Sequence, residues 1–547
     1  MQHSTLAKRA PLPLFIIIIA VYFYGLGRAP FVGPDEPRYA QVAREMFERA
    51  DLVTPTLGGH TWFEKPALLY WMMMGAYALF GVSEWSARLG PACSGLLCVL
   101  FVYLLGRLAE RAAGPALRGL SLWSSLALAS SAGLIVFSRA ASFDIIVTMT
   151  ITGALACFFA SELEPDEHRK RWWLAGFYAG VGASLVAKGL IGIVIPFGTA
   201  GVYYLFRRER PGSTTLYSAL WGLPAAIALS AIWYGPVIAR HRWLFIDEFF
   251  IQHHFARYVS NKYRHPQPFY FYVPVMALFI LPWTAFLAAA LFRLRRLTWR
   301  APDAASRLLV FAFAWLVVTI AFFSLSGSKL PGYVLPALPG AALLAGERLM
   351  RYARGETGGR AMRASGALLL LLGVVGITAA PRDAGISTAC AVTVAAPLII
   401  AGLIALGWAR RRLVCALAVA GAMFAAVPLI NICAIDKAAR RESVRDLIWQ
   451  ANARGYQAAP LYQMHTIEHN ADFYAAGRVA LDARGEPIKL EGVNQMVDVA
   501  RRHGGAVLIL VPVEYVRQLT QSPALETTVI ADNGAVAIAA VRRKDER

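Results

Sequence analysis

Fourteen predominantly apolar stretches of sixteen to twenty-four residues recur along this chain, and they dictate its class. They fall near 11–27, 66–81, 88–106, 119–138, 145–161, 172–187, 189–206, 216–238, 269–292, 308–325, 331–347, 364–380, 386–409 and 413–433. About 20 apolar residues in a helix span the hydrocarbon core of a bilayer. No soluble core built from 547 residues absorbs so many runs, so the chain reads as an α-helical polytopic membrane protein.

A net charge of +20 invites a nucleic-acid partner, but its distribution argues against one. The basic residues cluster between apolar runs, at Arg169-Lys170-Arg171, Arg207-Arg208, Arg293 with Arg295-Arg296, and Arg410-Arg411-Arg412. That is the positive-inside pattern of cytoplasmic loops. Lys8-Arg9 places the N-terminus in the cytoplasm, and Arg107, Arg111 and Arg118 mark a second cytoplasmic loop. Three candidate segments lie between these markers, yet two markers on one side require an even number of crossings. The segment 66–81 is the shortest of the three and is bracketed by polar, Pro-containing sequence. It is expected to lie along the outer interface with Pro66 in its first helical turn, which leaves about 13 transmembrane helices. The outer connections then become 28–87, 139–144, Lys188, 239–268, 326–330, 381–385 and everything after 433.

The run 11–27 follows basic residues as a signal peptide would, but no A-x-A site follows it, so an uncleaved first span is expected. Cys93, Cys98, Cys157, Cys390, Cys415 and Cys433 form no CxxC pair and lie in or at the end of apolar segments. They read as small apolar core residues with no disulfide framework.

From 436 to 547 charged residues return and apolar runs shrink to strand length. The stretch 506–511 reads as a buried strand, 443–452 and 492–502 as amphipathic helices, and 527–530 with 535–541 as a strand pair around the Asp532-Asn533-Gly534 turn. The expected organisation is a membrane domain over 1–435, with outer loops 28–87 and 239–268, and a C-terminal α/β periplasmic domain over 436–547.

The residues with chemical potential all fall on the outer side. Asp35-Glu36 follows Pro34 where a helix begins, so the two acids either cap that helix and complement its dipole or take part in chemistry. Glu64-Lys65 is either an ordinary ion pair or a phosphate clamp. Asp144 opens a span, and Lys188 lies between two runs with almost nothing separating them. Ionisable residues at such depth are functional candidates, with snorkelling the alternative for Lys188. The loop 239–268 holds Glu248, His253, His254, Arg257, Tyr258 and His265, and a further outer turn holds Ser328-Lys329-Leu330-Pro331-Gly332-Tyr333. Cations at such a face would stabilise a departing phosphate, and an acid would orient or deprotonate an acceptor.

Taken in order, Asp35-Glu36-x-Arg38-Tyr39-Ala40, Glu64-Lys65-Pro66, Arg139 with Asp144, Lys188-Gly189, His254-x-x-Arg257-Tyr258, His265-x-x-Pro268 and Ser328-x-Leu330-Pro331 resemble the GT-C glycosyltransferases. Among these the chain is most similar to the bacterial aminoarabinose transferases that modify lipid A, over residues 10–435 and in the appended domain. The resemblance implies a GT-C fold and undecaprenyl phosphate as carrier of the donor sugar. It implies Asp35, Asp144 and Glu36 as catalytic acids, and Lys65, Arg38, Tyr39, Lys188, Arg257 and Tyr333 as the lipid-phosphate site. Glu64 with His254 or His265 would form a site for a divalent metal, zinc being the candidate. It further implies a monomeric, multi-pass protein of the bacterial inner membrane that transfers aminoarabinose to a lipid A phosphate and so confers polymyxin resistance. Two alternatives share these residues: a protein O-mannosyltransferase-like enzyme, and a non-enzymatic flippase for lipid-linked sugars. A flippase would spread ionisable residues along its spans, whereas here they gather at one face.

Overall fold

The computed structural model describes residues 11–256, 267–296, 298–383 and 385–544. Each of the thirteen runs read as spans contains helix. Among the described residues, seven helices are long and apolar enough to cross a membrane unaided. They become eight when Leu120–Ala129 and Ala132–Ser138, bent by 60°, are taken as one. The other runs are shorter, broken or charged. Ile191–Arg207 has 17 residues. Pro282, with no N–H to give its turn, separates Tyr272–Phe279 from Thr284–Leu294. Glu167–Lys188 opens on Glu-His-Arg-Lys-Arg.

Small residues let these helices approach closely. A Cβ on Gly106 would strike the backbone of Ser121, and one on Gly346 the backbone of Ser124. Contacts of this kind replace the hydrophobic drive that lipid cannot supply between helices. Buried indoles also find acceptors: Trp283 donates to Ser130 Oγ at 2.9 Å and Trp315 to the Pro336 carbonyl at 2.7 Å.

The segment 66–81 forms the helix Leu68–Phe80, 13 residues long. At 1.5 Å per residue it reaches about 20 Å, short of the roughly 30 Å a span needs. It packs on the helix Asp35–Glu48, where the Tyr77 hydroxyl donates to the Ala40 carbonyl at 3.2 Å. Pro66 does not occupy its first turn as expected. Ala67 is the N-cap and Pro66 precedes it, because Phe63 and Glu64 form a turn and Lys65 a bend before the chain becomes helical.

Cys390 and Cys433 form a disulfide, contrary to the expectation of inert core thiols. They stand 43 residues apart in sequence. Cys390 opens the helix Thr388–Gly407, and Cys433 follows the helix Arg412–Leu429 that returns beside it. An antiparallel helix pair brings the start of one and the end of the other together, a proximity that sequence spacing does not display.

The C-terminal domain has a five-stranded sheet in the order β4-β3-β5-β7-β6: β3 is Leu461–Met464, β4 Lys489–Leu490, β5 Val507–Pro512, β6 Leu525–Asp532 and β7 Val536–Arg543. β3 runs parallel to β4 and β5, and β7 antiparallel to β5 and β6. Asp532-Asn533-Gly534 makes the β6–β7 turn with Gly534 at φ +86°, and the expected helices are Arg445–Ala453 and Val493–His503. Among the described residues the two other strands, β1 Thr56–Leu57 and β2 His60–Thr61, form a ribbon in the loop 28–87.

That loop is docked on the C-terminal domain through Glu84. Glu84 Oε1 accepts from Arg445 at 3.1 Å and from the Tyr474 hydroxyl at 3.0 Å. The Phe31 N–H donates to the same Tyr474 oxygen at 2.8 Å, and the Phe31 ring meets Phe473 edge-on at 4.9 Å.

Candidate active site

The helix Asp35–Glu48 begins with both acids in its first turn, but Pro34 is the N-cap and no side chain caps it. Asp35 therefore does not serve as the cap. The carboxylate of Glu36 is fully engaged within the protein. Arg88 donates to both of its oxygens, at 2.9 and 2.8 Å, and the Ala141 N–H adds a third bond at 2.6 Å. Arg88 also reaches the carbonyls of Leu26, Ala29 and Pro30, at 2.8, 2.7 and 3.3 Å. It is only 3% exposed. A fork of this kind fixes a carboxylate and orders the loop around it. Arg139 plays a related part, donating to the carbonyls of Val21 and Tyr22 in the last turn of the helix Pro11–Phe23 and of Tyr24 just beyond it. Those carbonyls have no intrahelical partner.

Asp144 lies in the first turn of Phe143–Leu163, capped by Ser142, whose hydroxyl accepts the Asp144 N–H at 3.1 Å. Lys188, the last residue of its helix, makes a close ion pair with Asp144. Its ammonium sits 4.7 Å from the Tyr333 ring centroid. A Cβ on Gly332 would strike the Asp144 carboxylate and the Phe137 ring, so a larger residue in this turn would displace the acid. In the neighbouring turn Lys329 is buried and donates to the Ser326 carbonyl at 2.6 Å.

Glu64 and Lys65 pair at 2.7 Å, with side chains 14% and 13% exposed. The buried Tyr39 connects the two groups. Its ring packs edge-on against Phe143 at 4.9 Å. Its hydroxyl is held well above its ordinary pKa by burial first, then by Glu64, Asp35, Tyr70 and Asp144. Asp35, Glu64 and Asp144 thus converge on one tyrosine from stretches far apart in sequence. Arg38 lies over the Trp62 ring, 5.2 Å from its centroid.

The fold therefore brings together Asp35, Glu64, Lys65, Tyr39, Asp144, Lys188 and Tyr333, and holds Glu36 in an anchoring fork. Arg257, Tyr258 and His265 lie outside the described residues, as does the side chain of His254. Of the expected metal set only Glu64 is described, and its Oε1 accepts the Lys65 ammonium. Among the described residues no three His, Cys, Asp or Glu side chains are grouped to hold a metal. Among the described residues of that set Glu64 stands alone, and one carboxylate held by a lysine does not make a zinc set. Sequence reasoning missed Arg88, whose one signal was an arginine at the head of the apolar run 88–106. It also missed Glu84, Arg445 and Tyr474.

The profile of the family described as dolichyl-phosphate-mannose-protein mannosyltransferase matches residues 12–298. The chain belongs to this family. Its curated relatives include two proteins named undecaprenyl phosphate-alpha-4-amino-4-deoxy-L-arabinose arabinosyl transferase. The one from Pseudomonas aeruginosa PAO1 is 33% identical over 63% of this chain and 60% of the relative. The one from Yersinia enterocolitica is 28% identical over 66% of this chain and 63% of the relative. The chain thus spans less than two thirds of the length of the relatives it matches. Among solved structures, ArnT from Cupriavidus metallidurans bound to undecaprenyl phosphate superposes with a TM-score of 0.77 at 25% identity, across 97% of each chain. Its apo form gives the same score over 98% of each chain. The fold is that of the GT-C glycosyltransferases.

Proposed function

We propose that this chain transfers 4-amino-4-deoxy-L-arabinose from undecaprenyl phosphate to a phosphate of lipid A, at the periplasmic face of the bacterial inner membrane, and that polymyxin resistance follows. The observation that carries the reading is the meeting of Asp35, Glu64-Lys65 and Asp144-Lys188 around Tyr39, with Tyr333 beside Lys188. The names of the relatives and the carrier lipid bound to the ArnT neighbour support the choice of donor.

In the reaction the bond between the sugar's anomeric carbon and the carrier phosphate oxygen breaks, and its electron pair leaves with the phosphate. An acceptor oxygen supplies the new pair. Lys65 and Lys188, each paired with an acid, are placed to exchange that acid for the phosphate and stabilise its charge. A lipid A phosphate is ionised near neutral pH, since phosphate monoesters lose their second proton near pH 6. Asp35 then has little proton to remove and acts by positioning the acceptor. Lys188 remains tied to Asp144 until the phosphate arrives, and Tyr333 shields the pair from water.

Orientation rests on two supports. The arginine clusters fall on the side opposite these acids. The Cys390–Cys433 disulfide lies on the side of the C-terminal domain, and disulfides persist in an oxidising compartment such as the periplasm. The membrane domain is assigned to 1–435 and the periplasmic domain to 436–547.

The family profile favours a second reading, transfer to a protein hydroxyl. There Asp35 would have to act as general base, and the rate would follow its ionisation. Mass spectrometry of lipid A from cells with and without this chain decides between them. An aminoarabinose mass increment that depends on the chain supports the first reading, and unmodified lipid A with glycosylated protein supports the second.

A further inference from the structure

Between the first outer loop and the C-terminal domain lies a cavity of about 100 Å³ that neither the anchoring fork nor the Asp144–Lys188 pair uses. Arg38, Gln41 and Trp62 line it from the loop, and His469, Asp472 and Glu486 from the domain. Three buried atoms of these residues have no hydrogen-bond partner: Gln41 Oε1, Trp62 Nε1 and Asp472 Oδ1. Gln41 is 5% exposed, and its amide nitrogen is already committed to Glu45 at 3.2 Å. Buried polar atoms are nearly always paired, and each exception calls for an explanation. The residues that carry these two acceptors and one donor all line a single small cavity.

The charges around it are unequal. Glu45 also borders the cavity, but its carboxylate is occupied by the Thr56 hydroxyl and by the N–H groups of Gly58 and Gly59. Arg38 is stacked on Trp62. Burial, followed by Glu45, pushes the Asp472 carboxyl up to about 7, with Arg38 opposing. Burial and then Arg38 hold His469 below its ordinary value. Arg38 and Gln41, which line the cavity, stand on the helix that Asp35 opens.

We propose that this cavity is a subsite for the sugar of the donor, and that it reads that sugar's protonated amine. The inference rests on the amino-sugar reading above. An ammonium group donates to Gln41 Oε1 and Asp472 Oδ1 at once, and the Trp62 N–H donates to a ring hydroxyl. The cation also draws Asp472 into its ionised form, releasing a proton. A neutral sugar offers the carboxyl no such counter-charge. The C-terminal domain thereby becomes part of the site that discriminates among donors.

The test uses the full chain in lipid nanodiscs at pH 7, with 4-amino-4-deoxy-L-arabinose and L-arabinose as probes in calorimetric titrations. The amino sugar is expected to bind about tenfold or more tightly than L-arabinose, the scale of one charge-assisted hydrogen bond. Its binding should release protons that L-arabinose binding does not. Asp472→Asn should abolish the preference while leaving undecaprenyl phosphate binding unchanged, which certifies the fold. If Asp472→Asn loses the carrier lipid as well, Gln41→Met takes its place, with the same loss of preference expected. Equal binding of the two sugars by the wild type, or a preference retained in the folded variant, overturns the subsite. In a transfer assay Asp472→Asn should raise KM for the aminoarabinosyl donor with kcat little changed. An unchanged KM sinks the subsite and leaves the transferase reading intact. No aminoarabinose transfer by the wild type sinks that reading, and the subsite with it.

Discussion

Replacing Arg88 by methionine keeps the length and apolar bulk of the stem but removes the fork that holds the first outer loop. Glu36, whose side chain is 14% exposed, keeps only the Ala141 N–H, and three carbonyls lose a charged donor. Removing one member of a buried pair costs about 3–5 kcal/mol, because the surviving charge stays buried without its counter-charge. Arg88→Met is therefore expected to destabilise the protein by about 4 kcal/mol. Glu36→Gln retains one side of the contact and should cost about 2 kcal/mol, near the value of a single charge-assisted bond. The double variant should be less destabilised than the sum of the two, with a coupling of about 2 kcal/mol for groups in direct contact. Equilibrium unfolding of the detergent-solubilised chain measures all four corners of this cycle. Folded Glu36→Gln should retain transfer, since its carboxylate anchors the loop and does not react. An Arg88→Met protein within about 0.5 kcal/mol of wild type would refute the reasoning, that being the scale of neutral surface changes.

Three other outcomes are expected. Asp35→Asn should abolish lipid A modification while the protein stays folded and inserted, and full modification by a well-expressed variant would remove Asp35 from the mechanism. Lys65→Ala should weaken undecaprenyl phosphate binding more than Lys65→Arg, which keeps the charge but changes its geometry; wild-type affinity in both would end the phosphate role. Cysteine introduced at the exposed Gln521 should react with an impermeant reagent from the periplasm, and cysteine at the exposed Thr298 should not; the reverse pattern would invert the topology.

Apolar run length made the membrane domain legible, and the pattern of alternation and turn residues did the same for β5, β6 and β7. The gathering of Asp35, Asp144 and Lys188 was legible from parity, because counting crossings assigns loops to a side without any knowledge of packing. Parity does not say which groups touch. Glu36 reads as an equal partner of Asp35 until Arg88, 52 residues on, is seen to occupy it. Cys390 and Cys433 look like core thiols until helix return sets them side by side. Pro66 looks like a first-turn residue until the Phe63-Glu64 turn delays the helix. For Glu36 and the two cysteines the deciding contact is long-range, and local sequence carries no record of it.

Glu84 receives Arg445 and Tyr474, and Tyr474 in turn receives the Phe31 N–H. Arg44 of the loop helix also donates to the Phe473 carbonyl at 3.2 Å. Severing the chain near residue 436 would thus orphan a buried carboxylate and a buried amide within residues 28–88. The soluble domain cannot be treated as a detachable appendage. A chimera that grafts this domain onto another member of the family should transplant residues 28–88 with it, since the module that must move intact is loop and domain together.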